Sequence, residues 1–159
     1  MHEEFESFTR NEDHQMIKKI VEQQFDTVCN GELPEKYVRR LLQKKTYDFG
    51  FISKTPRAHT RYGNKDFTVH SFILCEIKNQ IEIEIKIICS NKKRDGKKLL
   101  QYLETYVMTT MKDIKYISLQ ALNKKKLLRW YNDNGYKRKY DPFYPEEDKS
   151  IILYKELNI

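Results

Sequence analysis

The sequence predicts an α/β protein of the α+β kind: a mixed, mostly antiparallel central sheet flanked by about four helices, in the order β-α-α-β-β-β-α-β-α-β-β. Three observations predict it. Ile81, Ile83, Ile85 and Ile87 alternate with Glu82, Glu84 and Lys86, the period of a half-buried strand. Leu99, Leu100, Leu103, Val107 and Met111 recur at the spacing of one helix face. Between the two runs Cys89 to Leu100 forms a basic turn with one glycine, Gly96, so that a strand feeds a helix directly.

Along the chain, a short strand over residues 2–8 comes first. Thr9 and Glu12 then stand in capping-box relation, and Met16, Ile17, Ile20, Val21, Phe25 and Val28 recur at helical spacing until Asn30-Gly31 stops the helix. Pro34 at a first-turn position, with Tyr37, Val38, Leu41 and Leu42 behind it, predicts a second, shorter helix. A strand over residues 47–53 follows. Residues 54–65 hold Pro56, Gly63 and the side chains of Lys54, Arg57, His59 and Arg61, the composition of a mobile loop over a functional face.

Residues 67–78 and 80–89 predict an antiparallel hairpin about a tight turn at Asn79, with Val69, Ile73, Cys75 and Ile77 on one face of its first strand. After the basic turn and its helix, Ile117, Leu119 and Ala121 alternate as a strand. Leu127, Leu128 and Tyr131 then recur at helical spacing within residues 124–132, ahead of the stop signal Asn134-Gly135. Residues 136–140 and 150–157 pair as closing strands around a loop with Tyr140, Phe143 and Tyr144 at its start.

With 159 residues, one domain over residues 1–159 is expected, large enough to bury roughly two thirds of the surface of its unfolded chain. Thirteen per cent aromatic and 39% hydrophobic residues supply a core, which excludes global disorder despite 33% charged residues. The formal charge of +7 fits a polyanionic partner such as a nucleotide cofactor, a nucleic acid or an acidic surface. Cys29, Cys75 and Cys89 form no CxxC pair and lie in or beside apolar segments, so all three read as reduced packing residues. The first residues lack a signal pattern, and no apolar run approaches the ~20 residues of a membrane span, so a soluble, cytoplasmic protein is expected. His2, His14, His59 and His70 show no metal spacing, and no metal is expected.

A strand that feeds a helix through a turn aims unpaired backbone N–H groups and the positive helix end at one spot, a ready phosphate cradle. Backbone groups from Lys93 to Lys97 are placed for it, while Lys92, Lys93, Arg94, Lys97 and Lys98 attract a polyanion from a distance. Glu82 and Glu84, two apart on a strand, share one face.

Taken together these residues resemble the GCN5-related N-acetyltransferase (GNAT) superfamily, over most of the chain and most strongly over residues 80–136. In that family the cofactor turn reads Q/R-x-x-G-x-G/A, with an apolar pair two residues later. With Leu99 and Leu100 as the pair, Gly96 falls on the second glycine, Arg94 on the first and Asn91 on the Gln/Arg position. Residues 117–122 followed by Leu127 to Tyr136 look like the family's strand, helix and Y-x-x-x-G-F ending, with Tyr136 in place of Phe.

The resemblance implies acetyl transfer from acetyl-CoA, as cosubstrate, to a primary amine in a direct ternary complex. It implies a pyrophosphate held on Asn91, Lys92, Lys93, Arg94, Asp95, Gly96, Lys97 and Lys98, a pantetheine arm along Ile87, Ile88 and Cys89, and further cofactor contacts from Asn123 and Tyr131. Tyr131 matches the tyrosine that protonates the departing thiolate, and Glu82 or Glu84 is the candidate base for the amine, with Glu82 preferred from its distance to the turn. Tyr37, residues 54–65, Tyr140, Phe143 and Tyr144 are candidates to shape the acceptor site. A monomer or homodimer without a membrane partner is expected. Two alternatives stay open: a CoA-binding or protein-interaction module of the same fold without turnover, and a small nucleic-acid-binding protein that uses Lys124, Lys125, Lys126, Lys137, Arg138 and Lys139.

Overall fold

Seven segments, the short charged pair Lys137–Arg138 among them, build one sheet in the order β1-β2-β3-β4-β5-β7-β6 in a computed structural model of the chain. The strands are β1 (Glu4–Thr9), β2 (Phe49–Pro56), β3 (Phe67–Ile77), β4 (Glu82–Ser90), β5 (Tyr116–Leu122), β6 (Lys137–Arg138) and β7 (Ser150–Glu156). Helix α1 (Asp95–Thr110) connects β4 to β5, and α2 (Lys125–Asp133) connects β5 to β6. The structure describes residues 4–9, 40–41, 46–56, 67–90, 95–122, 124–138 and 150–157. The first predicted helix lies outside them, and of the second only Arg40 and Leu41 are described, both helical.

Among the described residues all strand pairs are antiparallel except β4 with β5. That exception follows from connectivity, because a helix between two neighbouring strands returns the chain to the same end of the sheet. Leu99, Leu100, Leu103 and Val107, each at most 1% exposed, press the apolar stripe of α1 onto the sheet. Leu127 and Leu128 of α2 pack on the same core, beside Ile117, Leu119, Ala121, Ile151 and Leu153. Burial of each such aliphatic side chain stabilises the fold by about 1.5–3 kcal/mol. Both helices therefore cover one face of the sheet.

Two bulges correct the predicted faces. Ser53 pairs with Ser71 but Lys54 pairs with Val69, which leaves His70 as an extra residue in β3. Likewise Leu74 pairs with Ile87 but Cys75 pairs with Ile85, which leaves Lys86 extra in β4. An extra residue shifts every later side chain to the other face. Val69 is thus separated from Ile73 and Cys75, and Ile87 and Cys89 from Ile83 and Ile85. In agreement, Ile73, Cys75, Ile83 and Ile85 belong to the core under the helices, whereas Val69, Ile87 and Cys89 are buried outside it.

Other boundaries moved less. Strand β2 runs on to Pro56, paired with Phe67, so residues 54–56 are strand and not the start of the predicted loop. The remainder of that loop is outside the described residues. Ile77 and Ile81, expected on core faces, are 44% and 43% exposed at the hairpin end, where Asn79 Oδ1 accepts the Ile81 N–H at 2.9 Å.

Candidate active site

The parallel pair β4–β5 is short. Its ladder joins Glu82 to Tyr116, Ile83 to Ile117, Glu84 to Ser118 and Ile85 to Leu119, and stops there. Strand β4 continues to Ser90 still paired with β3, and β5 continues to Leu122 paired with β7. Past Ile85 and Leu119 the two strands therefore part like the arms of a fork. The Lys86 bulge sits at the point of parting, and a bulge bends its strand and sharpens the local twist. At the open end α1 begins at Asp95 and α2 at Lys125, so two helix N-termini face the mouth of the fork.

Gly96 is buried in the first turn of α1 rather than in the turn before it. A Cβ there would stand 3.3 Å from Trp130 Cζ2 and 3.7 Å from the Ser90 Cβ. The missing side chain thus lets the start of α1 close against both the indole of α2 and the end of β4. Gly96 serves close approach.

Gly135 serves conformation. Its φ of +93° lies in the left-handed region that side chains avoid. The Gly135 N–H donates to Asn132 O at 3.0 Å, and the Tyr136 N–H donates to Tyr131 O at 2.9 Å. Those two bonds, with Tyr131 and Tyr136 rings 6.1 Å apart, make the Schellman ending with its apolar staple. The spacing Tyr131-x-x-x-Gly135-Tyr136 is accordingly what this helix ending demands, before any chemistry is asked of Tyr131.

Tyr131 is 6% exposed on the helix face of the sheet, edge-on to Trp130 at 4.9 Å. Burial pushes its phenol up to about 12, so it carries its proton throughout the physiological range. Tyr136 is fully buried, and burial followed by the Glu104 carboxylate raises its phenol well above the ordinary range.

Glu82 and Glu84 lie on the opposite face. The Ser118 hydroxyl, 5% exposed, donates to Glu82 Oε2 at 2.8 Å. Lys78 Nζ stands 3.7 Å from Glu82 and 3.5 Å from Glu84, while Lys86 Nζ stands 3.5 Å from Glu84 and 3.0 Å from Glu76. Burial pulls the Lys86 ammonium down, but Glu76 and Glu84 beside it outweigh that and leave it raised. The two carboxylates and Tyr131 are thus divided by the sheet, and the fork is the opening between their two sides. Glu84 is one residue from the fork, whereas Glu82 is three residues back behind a closed ladder.

The structure brings together Ile87, Ile88, Cys89, Gly96 and Lys97 around the open end of the fork. Asn91, Lys92, Lys93, Arg94 and Asn123 lie outside the described residues, as do Tyr37, Tyr140, Phe143, Tyr144 and Cys29. The reading of every cysteine as reduced is corrected at Cys89, which is disulfide-bonded. Spacing alone does not reveal such a bond, because pairing joins residues distant in sequence. Cys75 is a free, fully buried thiol that burial pushes up. Sequence reasoning missed Trp130, Ser118, Glu104 and Lys155. For Glu104 a signal existed, since it follows Leu100 by four and precedes Val107 by three on the apolar stripe.

Among the described residues no group of three or more His, Cys, Asp or Glu is placed to hold a metal ion, and no helix is long and apolar enough to cross a membrane. A cavity of about 290 Å³ lies apart from the fork, between α2, β6 and β7, and is lined in part by Leu128, Arg129, Asn132 and Arg138.

A sheet with one parallel pair that forks at two helix N-termini defines a class of α/β protein built around an opening between strands. The chain has the fold of the GCN5-related N-acetyltransferases. It is similar to a GNAT family acetyltransferase from Elizabethkingia anophelis with acetyl-CoA bound, at 13% identity and a TM-score of 0.63 over 98% of each chain. It is similar also to the PaiA N-acetyltransferase from Thermoplasma acidophilum in complex with coenzyme A, at 16% identity and a TM-score of 0.60 over 98% of this chain and 99% of that one. The catalytic domain of the Tetrahymena GCN5 histone acetyltransferase, in complex with coenzyme A, matches at 10% identity and a TM-score of 0.60 over 99% of this chain and 95% of that one. No family model and no curated relative matches the sequence.

Proposed function

We propose that this protein is an N-acetyltransferase that uses acetyl-CoA and a primary amine, which meet in one ternary complex at the fork. The observation that carries the reading is the parting of β4 and β5 past Ile85 and Leu119 beside the N-terminus of α1. Over residues 86–90 the β5-facing edge of β4 is outside the β5 ladder, so an extended amide-bearing arm can add there as a strand. The first-turn N–H groups of α1, from Asp95 to Lys97, suit a pyrophosphate, and Gly96 lets that turn close against Trp130 and the end of β4. Two of the solved relatives carry coenzyme A and a third acetyl-CoA, which supports the same ligand here.

Acetyl-CoA supplies the activated acyl group as a thioester. The amine nitrogen bonds to the acyl carbon, the carbon–sulfur bond breaks, and the electron pair leaves on sulfur. Tyr131 donates its phenolic proton to that sulfur, which its protonated state at neutral pH allows. Before the attack Glu84 takes one proton from the substrate ammonium, directly or through water, with Glu82 as the more distant candidate, and the second proton that the nitrogen loses as the amide forms restores the Tyr131 phenol. Lys78 and Lys86 hold Glu84 at the edge of the fork in the meantime.

Isothermal titration with acetyl-CoA, followed by a coenzyme A release assay over a panel of amines, tests the reading. Binding and amine-dependent release are expected, with Tyr131→Phe reducing turnover far more than affinity. Binding without release on any amine favours the non-catalytic module, for which the engagement of both carboxylates with lysines speaks. Absence of binding overturns the proposal.

A further inference from the structure

Glu104 is out of place by the logic of α1. It falls on the apolar stripe, is 9% exposed, and an aliphatic residue there avoids the desolvation of a carboxylate. Its partners explain it. Glu104 Oε1 receives Lys155 Nζ of β7 at 2.8 Å and the Tyr136 hydroxyl at 3.3 Å. The same ammonium donates to Asn134 O at 3.1 Å and lies 5.7 Å from the centre of the Tyr136 ring. It also runs past Gly135, whose absent Cβ would stand 3.2 Å from Nζ. Three elements therefore grip one turn: α1 through Glu104, β7 through Lys155, and α2 through residues 134–136.

That turn holds Tyr131. The Asn134 and Tyr136 N–H groups both donate to Tyr131 O, at 3.1 and 2.9 Å, and the Tyr136 ring, tied to Glu104 through its hydroxyl, packs edge-on against Tyr131. We infer that the Glu104–Lys155 pair is a positioning device for Tyr131: it fixes the end of α2 from two sides and thereby the point at which the Tyr131 hydroxyl meets the reacting sulfur. The catalytic part of this inference rests on the acetyltransferase reading above. An ion pair between a buried carboxylate and a half-buried ammonium is a poor source of net stability, because desolvation of Glu104 and solvent screening at Lys155 cancel much of the attraction. It is a source of fixed geometry, since one ammonium is held at once by Glu104 Oε1 and Asn134 O.

The test replaces the pair with apolar residues, Glu104→Leu with Lys155→Met, together with Tyr136→Phe, a change that leaves neither a lone charge nor a buried hydroxyl without its acceptor, and Tyr136→Phe alone is the control. With melting temperature preserved, the account expects turnover to fall on the order of 10- to 100-fold at unchanged acetyl-CoA KM, the effect of a misplaced reacting group. In a Tyr131→Phe background the same changes should cost no further turnover. A second readout needs no turnover: fluorotyrosine at position 131 should give one sharp fluorine resonance in the native protein and a broadened or divided one in the apolar variant. Native turnover and an unchanged resonance in that variant overturn the inference. If Tyr131→Phe itself turns over normally, the role of Tyr131 fails instead, and the resonance alone decides the positioning.

Discussion

The entry to α1 and the exit from α2 each turn on one glycine, and the two glycines do opposite things. Gly135 occupies a left-handed conformation inside a turn whose hydrogen bonds, ring contact and ion pair are all internal to the protein. Gly96 has no unusual backbone and instead leaves room beneath Trp130 and Ser90. One glycine supplies a backbone conformation, and the other lets the start of α1 close against α2 and the end of β4. The difference teaches that the best-defined motif in the chain, Tyr131 to Tyr136, is first a structural unit. The basic entry to α1 is the more direct pointer to a ligand.

The α2 ending is most vulnerable at Tyr136, which is 0% exposed and staples it. Tyr136→Ala should destabilise the protein by about 3–5 kcal/mol in chemical denaturation, the range for deletion of a buried aromatic. A loss below about 1 kcal/mol would show that the ending is not held as described.

Alkaline titration comes next. Tyr131 is raised from an ordinary value of 10 to about 12, so the folded state holds this proton more tightly than the unfolded chain does. Its stabilisation is complete below about pH 10 and disappears as pH rises through about 12, a loss of roughly 3 kcal/mol. Denaturation curves across that window should show the decline, and Tyr131→Phe should make it shallower. An identical slope in the variant would mean that Tyr131 ionises as it does in water.

The glycines themselves give the smallest and most discriminating effects. Gly135→Ala forces a left-handed alanine against Lys155 and should cost roughly 1–2 kcal/mol. Gly96→Ala meets Trp130 only at 3.3 Å and gains helix propensity, so its stability change should stay within about 1 kcal/mol of zero. Equal losses at the two positions, read by thermal unfolding, would erase the distinction between them.

Much of this was legible in the sequence for the same reason that it is locally determined. Alternation located β4 and β5, the 3.6-residue period located α1 and α2, and Gly135 marked where α2 ends. What escaped depends on contacts distant in the chain. The Lys86 bulge is invisible because the isoleucines alternate straight through it, although the bulge moves Ile87 and Cys89 to the other face. The separation of Glu82 and Glu84 from Tyr131 by the sheet likewise depends on which face the helices cover. The bond at Cys89 and the Glu104–Lys155 pair join residues that no local spacing relates.

The central claim is that the fork between β4 and β5 is the cofactor site, and amide shift mapping during an acetyl-CoA titration tests it most directly. The account predicts shifts concentrated at Ile87, Ile88 and Cys89, at Gly96 and Lys97, and on the β5 arm at Gln120 and Ala121. Saturable shifts centred on Arg129, Asn132 and Arg138, with the fork unmoved, would contradict it.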